Sequence, residues 1–378
     1  MKFRKVLFWA HLSIGVIIGL VILNMAVTGM IMAFEPQIVR YVERKQQFVN
    51  ITDAAAQRLS LDEIVSKVKG QYPDKKITQI GLKSDEKSSI TVGFGREGSV
   101  YINPYTGEIL GEDSQIHKLM HKIEDWHRYF GKKEIGKPIT GAACLGFFLL
   151  ILSGIYLWWP KQWQWKSIQA IIKFNPTLKG KARDWNWHNT IGFWCSPIFL
   201  VTTVTGLIMS YTWANNLLYR STGNTPPPVQ SQQKSETEKK VKENNDQPKA
   251  SFDTLFQTAE KQVPSWVTMN IRLGKDDKAA VVISIQEPSV RLPNHRSQLT
   301  LDLFTAEVKK WEPFSELNTG RKARMWIKPI HTGQAWGIVG QMIMFIGACG
   351  ATVLVWTGLS MALQRFNSWR KKKFQIQN

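Results

Sequence analysis

The sequence predicts a mainly α-helical membrane protein: a four-transmembrane-helix bundle from a parallel duplicated half, carrying two extramembrane α/β domains. Four apolar runs lead there first. Leu7–Phe34, Pro138–Pro160, Trp185–Tyr219 and Pro329–Gln364 contain no Asp, Glu, Lys or Arg, and each meets the roughly 20 residues needed to cross about 30 Å of hydrocarbon. A repeat leads there second. His11 precedes Thr28-Gly29 by 17 residues, and His188 precedes Thr205-Gly206 by the same interval. His127 precedes Gly136, Gly146 and Gly154 by 9, 19 and 27 residues, as His331 precedes Gly340, Gly350 and Gly358. A helix, domain, helix half that runs the same way twice implies two halves related by an axis along the membrane normal.

Taken in order, residues 1–35 form the first transmembrane helix and 36–125 the first outer domain. There Leu59, Leu61, Ile64, Val65 and Val68 fit a helical stripe that Tyr72-Pro73-Asp74 stops. Ser89–Phe94 and Ser99–Ile102 read as strands, and Asn103–Gly107 as a turn. Residues 126–160 form the second helix with its lead-in, 161–184 a loop, and 185–219 the third helix. Residues 220–250 read as a disordered linker rich in Pro, Gln, Lys and Glu. The second outer domain, 251–326, repeats the first: a helix over Phe252–Val263, strands over Ala279–Gln286 and Gln298–Leu303, and a turn at Phe304–Glu307. Residues 327–365 form the fourth helix and 366–378 a basic tail.

Lys and Arg bias in short loops sets orientation. Lys2, Arg4 and Lys5, the six Lys and Arg of 161–184, and Arg365, Arg370 and Lys371–Lys373 place both termini and the middle loop in the cytoplasm. The aromatic belt of Trp158, Trp159, Trp163, Trp165, Trp185 and Trp187 sits at the same interface. The first apolar run is too long for a cleaved signal peptide and lacks a small-residue cleavage site. The net charge of +20 is therefore largely topological, and no nucleic-acid-binding motif accompanies it. Cys144, Cys195 and Cys349 all fall inside spans, and no Cys-x-x-Cys-His is present, so any haem is held non-covalently.

Ionisable side chains in or beside membrane spans are costly and by default mark function. The four repeated histidines thus read as paired metal or haem ligands. His11 and His188 both begin spans that start in the cytoplasm, and His127 and His331 both precede spans that start outside. Two bis-histidine sites follow, one per leaflet, if like ends meet in the bundle. Gly15 and Gly192, at i+4 from His11 and His188, share their face and leave room for a flat porphyrin; close helix packing explains them equally well. Arg128, Arg324 and Lys328 are placed to meet propionates at the outer site, with Arg4, Lys5 and Arg183 at the inner one. Plain interfacial anchoring accounts for these cations too. His117 and His121 have the i, i+4 spacing of a divalent-metal site but lie nearer the polar side of the helix that presents His127, and the repeat replaces them by Arg321 and Met325. His295, beside Asn294 and Arg296, reads as a surface histidine.

Several motifs resemble the PepSY-associated transmembrane proteins of bacteria. They are Leu61–Ile64 with Tyr72-Pro73-Asp74, the Val100–Glu108 turn, Gly154–Pro160, and His331-Thr332-Gly333 with Gly337, Gly340 and Gln341. Where that family has Leu-His-Arg, this chain has Trp126-His127-Arg128. The resemblance implies a multi-pass inner-membrane protein with two periplasmic PepSY-like domains. It also implies two haem b groups and reduction of a periplasmic ferric siderophore to release Fe(II). The cytoplasmic parts are too short for a flavin or nicotinamide domain, so a cytoplasmic reductase or a membrane quinol would supply electrons. Two rival readings remain: a PepSY-type periplasmic interaction or peptidase-regulating protein, and an iron or siderophore permease.

Overall fold

The computed structural model describes residues 2–51, 56–160, 164–227, 248–273, 280–288 and 295–377. Lys161, Trp163, Ala279, Asn294 and residues 228–247 of the expected linker lie outside the described residues. In chain order the elements are α1 (Lys2–Met32), α2 (Glu35–Val42), α3 (Arg44–Gln47), α4 (Leu61–Gln71), β1 (Gln79–Lys83), β2 (Ile90–Gly93), β3 (Ser99–Ile102), β4 (Ile109–Glu112), α5 (Gln115–Tyr129) and α6 (Lys133–Trp158). They continue as α7 (Trp165–Ile172), α8 (Gly180–Ser210), α9 (Thr212–Ser221), α10 (Phe252–Gln262), β5 (Thr268–Arg272), β6 (Ala280–Gln286), β7 (Ser297–Asp302), β8 (Val308–Glu312), α11 (Thr319–Thr332) and α12 (Gly337–Gln377).

The chain divides into two compact units. The first comprises Met1–Glu35, Met120–Leu218 and Trp326–Asn378. Among the described residues, four helices are long and apolar enough to cross a membrane: α1, α6, α8 and the Gln334–Lys373 stretch that holds most of α12. The protein is therefore a multi-pass membrane protein. Ile17, Leu20, Leu149 and Ile346 stand exposed on these helices, as lipid-facing side chains do. α1 packs against α6 and α12, and α8 packs against the same two, so α1 and α8 lie diagonally across the bundle. Ala26, Ile151, Cys195, Phe199 and Ala351 fill its middle, with Phe147 against Phe199 at 5.3 Å.

Three expected spans change their boundaries, each for a local reason. The 126–160 stretch breaks at Phe130 (φ 48) and Gly131 (φ 81), so α5 and α6 are separate helices. The 327–365 stretch breaks at Gly333 (φ 77) and a short 3-10 turn, Gln334–Trp336, and α12 then runs on through the expected tail. The 185–219 stretch breaks at Tyr211, whose backbone is extended, and α9 follows as its own helix, so the expected linker from 220 begins inside it. The expected loop 161–184 contains α7 and the start of α8. Asn186 ties them by accepting from the Asn175 N–H at 3.0 Å and donating to the Lys173 carbonyl at 3.0 Å.

The second unit comprises Pro36–Leu119 and Tyr219–Met325. Sequence reading assigns its two segments to separate domains with two strands apiece. In the structure each supplies four strands, and all eight join one antiparallel sheet in the order β4-β3-β2-β1-β5-β6-β7-β8. β1 and β5 make the junction, with Gln79 opposite Arg272, Gly81 opposite Asn270 and Lys83 opposite Thr268. Either strand alone would leave a row of unpaired backbone groups at a sheet edge, and pairing removes both edges together. Ile64, Val68, Ile80, Val92, Leu255, Ile271, Ile283 and Leu299 build a continuous core between the sheet and helices α4 and α10.

The starts of those helices are joined as well. Ser60 caps α4 and Ser251 caps α10, each accepting from the N–H three residues on. The Asp253 carboxylate accepts from the Leu61 and Asp62 amides at 2.8 and 3.2 Å. The Asp62 carboxylate accepts from the Phe252 and Asp253 amides at 3.1 Å each. Each helix thus satisfies the other's orphan amides. Burial and the bond to Asp62 push the Asp253 carboxyl up. Against its own burial, the bonds from Asp253 and Phe252 hold Asp62 down. The pair keeps one shared proton more readily than two separate carboxyls would.

The sign of the pH dependence follows from these opposite shifts. The raised Asp253 contributes stability below the ordinary Asp range and loses it as pH rises through its folded value. The lowered Asp62 contributes above that range and loses its share as pH falls. Asp253→Asn carries a permanent donor and should flatten the loss on the high-pH side. Asp253→Ala leaves two amides unsatisfied and should destabilise by about 1 kcal/mol, as lost helix caps do. Denaturant unfolding of the full-length protein against pH checks both, and a high-pH loss of stability undiminished in Asp253→Asn would contradict the shared proton.

Candidate functional site

All four repeated histidines sit in one kind of seat. His11 Nδ1 lies 2.8 Å from Ser153 Oγ, His127 Nδ1 2.9 Å from Thr28 Oγ1, His188 Nδ1 3.0 Å from Thr357 Oγ1, and His331 Nδ1 2.9 Å from Thr205 Oγ1. Every one of these hydroxyls is within 2.8 Å of the carbonyl four residues earlier: Leu149, Asn24, Val353 and Val201. A hydroxyl has one proton. With that proton given to the helix carbonyl, the oxygen accepts from the imidazole, so Nδ1 carries the hydrogen. For His331 the inference is independent of the hydroxyl, because Nδ1 also lies 3.1 Å from the Thr202 carbonyl, which can only accept. Nε2 is then the lone-pair nitrogen in each ring, the form in which imidazole binds a metal.

A glycine follows each hydroxyl, and the ring lies over it. A Cβ on Gly154 would stand 3.5 Å from His11 Cε1, on Gly29 3.6 Å from His127 Cε1, on Gly358 3.3 Å from His188 Cε1, and on Gly206 3.7 Å from His331 Cε1. The remaining repeated glycines serve other close approaches. A Cβ on Gly136 would fall 1.5 Å from the Tyr129 carbonyl oxygen, and on Gly340 2.2 Å from that of Gly333. These two let the end of each histidine-bearing helix, α5 and α11, rest on the first turn of α6 and α12. Gly146 and Gly350 admit Ile18 and Cys195 from neighbouring helices, with contacts of 2.6 and 2.7 Å to an added Cβ.

His11 and His188 come from the diagonal helices α1 and α8, and their ring centres are 6.4 Å apart. A metal–nitrogen bond is about 2 Å, so one ion bridging two imidazoles separates their centres by about 6 Å. A cavity of about 1720 Å³ opens against both rings, larger than the roughly 300–1,000 Å³ of small-ligand sites. Gly15 and Gly192 line it; a Cβ on either would meet only a leucine methyl at 3.9 Å. Close helix packing therefore does not account for these two. Trp158 also lines the cavity, held by stacking on Phe193 at 4.6 Å, and its buried Nε1 has no hydrogen-bond partner among the described residues. Lys5, Lys181 and Arg365 stand at the lining, as does Arg4, which donates to the Leu157 carbonyl at 2.6 Å. A planar, anionic, iron-containing macrocycle fits these donors. Arg183 instead pairs with the buried Asp184 at 2.8 Å.

At the other end of the bundle His127 rests on α1 and His331 on α8. Arg128 is already paired with Glu124 at 3.0 Å and lies over the Tyr129 ring, and Lys328 is exposed. Arg324 belongs to the second unit.

The i, i+4 pair His117 and His121 does not act together. His121 is exposed, with Nδ1 4.0 Å from Glu124. His117 enters a separate cluster in the second unit, 3.0 Å from Glu43 and 3.5 Å from Asp113. Bonding to Asp113 and Glu43 pushes the His117 imidazole up to about 10. Burial alone would raise the Glu43 carboxyl, but bonds from His117, the Ser114 amide and Tyr101 hold it below the usual range. His295 is not a surface residue: it is buried at 5% exposure and stacks on Phe314 at 4.8 Å. The polar neighbours that suggested a loop do not report on that aromatic partner.

Sequence reasoning noted Thr28-Gly29 and Thr205-Gly206 as landmarks without seeing that they receive histidines, and missed Ser153, Thr357 and Trp158. Ser/Thr-Gly pairs occur nine times in the sequence, and only the duplicated spacing sets Thr28-Gly29, Ser153-Gly154, Thr205-Gly206 and Thr357-Gly358 apart as two matched sets. No curated protein matches the chain. The family described as the PepSY-associated TM region matches residues 8–365. With nearly its whole length matched, the chain belongs to the PepSY-associated TM family.

Proposed function

We propose that the protein is an inner-membrane dihaem electron conduit built from a duplicated half, which reduces a ferric siderophore outside the membrane. The observation that carries this reading is the fourfold seat, which leaves Nε2 of His11, His188, His127 and His331 as free lone pairs. His11 with His188 would hold one haem b and His127 with His331 the other. Bound haem would supply one-electron redox chemistry, and holding it through two histidines would favour electron transfer over oxygen chemistry. Arg365, Lys181 and the Trp158 N–H are available to the propionates at the His11 end.

The loop charges support a cytoplasmic His11/His188 end and periplasmic second unit. One electron, from a quinol or a cytoplasmic reductase, would cross from that end to the His127/His331 end and convert chelated Fe(III) to Fe(II). Fe(II) is held more weakly by hard oxygen chelators and leaves. The siderophore as substrate rests on the family resemblance. The packed apolar middle of the bundle, Ala26, Ile151, Cys195, Phe199 and Ala351, supports electron transfer over a permeation path. Asn24 adds only a 3.5 Å contact to the Trp126 carbonyl.

Reduced-minus-oxidised absorbance of the purified full-length protein tests the reading. Two haems per chain are expected, with one lost in His11→Ala or His188→Ala and the other in His127→Ala or His331→Ala. Protein purified without haem from haem-replete cells would sink the proposal.

The seats make a finer prediction. Removing a partner that orients a ligating histidine typically costs about 10–100-fold in affinity. Ser153→Ala and Thr357→Ala should therefore weaken haem retention at the His11/His188 site alone, and Thr28→Ala and Thr205→Ala at the other site alone. Haem titration into stripped protein reads the difference; equal loss at both sites would contradict the assignment of seats.

A further inference from the structure

The geometry points to a divalent transition-metal site in the second unit, formed by Glu43, Asp113 and His117. It is separate from the histidine seats and does not rest on the haem reading. The ligand atoms are drawn from three places: the junction of α2 and α3, the end of β4, and the first turn of α5. All three lie within 4.8 Å of one another, with Nδ1 of His117 at 3.0 Å from Glu43 Oε1 and 3.5 Å from Asp113 Oδ1. Ligands about 2.0–2.2 Å from a common ion stand roughly 3–4 Å apart, so the donors already have the spacing a metal imposes.

Charge supplies an independent argument. Glu43 is 0% exposed and Asp113 5%, and among the described residues His117 is the one basic side chain within ion-pair distance of either. Two buried carboxylates thus face at most one positive charge. The corresponding place in the second segment is balanced the other way, with the single carboxylate of Glu312 meeting both Arg321 and Lys310. Buried charges are paired or coordinate metals, and a divalent ion on two carboxylates and a neutral imidazole is neutral overall.

The carboxylates are also held in place from behind. Tyr101 Oη donates to Glu43 Oε2 at 2.7 Å, and the Ser114 amide to Oε1 at 2.8 Å. Ser99 donates to Asp113 through its amide at 2.8 Å and its hydroxyl at 2.7 Å. Such outer partners orient metal ligands. The His117 side chain keeps 20% exposure, which gives an ion a way in. One imidazole with two carboxylates suits Zn(II), Fe(II) or Mn(II).

The test uses full-length protein without a polyhistidine tag, stripped with chelator and dialysed against Zn(II). Elemental analysis should find one zinc per chain. Asp113→Asn and His117→Gln should bind it at least tenfold more weakly, and His121→Ala should bind it normally. Elution of each variant as the same monodisperse species, with unchanged circular dichroism, serves as the folding control. Zinc-edge X-ray absorption of the wild type gives a readout that needs no variant: one imidazole in a nitrogen and oxygen shell is expected. No zinc uptake, uptake unchanged in both variants, or a shell with sulfur or several imidazoles would overturn the site.

Discussion

One hydrogen bond organises the membrane unit: an imidazole Nδ1–H given to a helix hydroxyl. In an apolar bundle an unpaired polar nitrogen is expensive, so each of the four histidines needs an acceptor at a defined place. Ser or Thr on a neighbouring helix supplies it, because its own proton is already committed to the carbonyl one turn back. The bond fixes the tautomer and with it the nitrogen that is free for other chemistry. It also brings the ring down onto the next residue, which is glycine in every case. The Ser/Thr-Gly pair and the histidine are therefore one device placed on two helices.

The rest of the bundle follows from serving that device. α1 and α8 each carry a histidine near one end and a Thr-Gly seat near the other, so their spacing sets the distance between sites. Seventeen residues at 1.5 Å rise correspond to about 26 Å along the helix, close to the full thickness of the hydrocarbon layer. α6 and α12 carry only seats, which receive His11 of α1 and His188 of α8, and the histidines for the Thr-Gly seats of α1 and α8 come from α5 and α11. Those helices must stop short and fold back. Left-handed backbone at Phe130, Gly131 and Gly333, and glycine at 136 and 340, allow backbone to rest on backbone there.

Much of this was legible in the sequence because it is periodic or repeated. The apolar runs gave four helices, and the duplicated spacing singled out His11, His127, His188 and His331. The breaks within 126–160, 185–219 and 327–365 were hidden because an apolar run does not change composition where the backbone turns. β1 and β5 escaped for a different reason. Each is five residues long, and what makes it a strand is pairing with the other, nearly two hundred residues away, a contact no local window contains. The partners of His117 and His295 were hidden in the same way. Glu43 and Phe314 meet them only through the tertiary fold, and so His295, expected at the surface, is buried, while His117, expected nearer the polar side of its helix, joins a carboxylate cluster apart from His121. Arg128, expected to meet propionates at the outer site, is already claimed by Glu124 one turn earlier.

The same distinction between local and long-range pattern explains why the sheet stops at eight strands. Its central pair, β1 and β5, alternates apolar and polar residues, with Ile80, Leu82, Met269 and Ile271 buried, and is regular throughout its ladder. The outer strands are different. β8 presents Lys309 and Lys310, and both outer ladders contain a register shift, at Tyr101/Ile102 and at Thr300/Leu301. Charged residues and bulges on edge strands discourage further pairing. Each segment thus offers one regular edge and one blunted edge, and only the regular edges can meet. The reciprocal carboxylates of Asp62 and Asp253 lock the same meeting at the helix layer, where each helix would otherwise begin with two unsatisfied amides. Joining the segments in this way completes both layers with one contact, which is why neither segment is read correctly as a domain by itself.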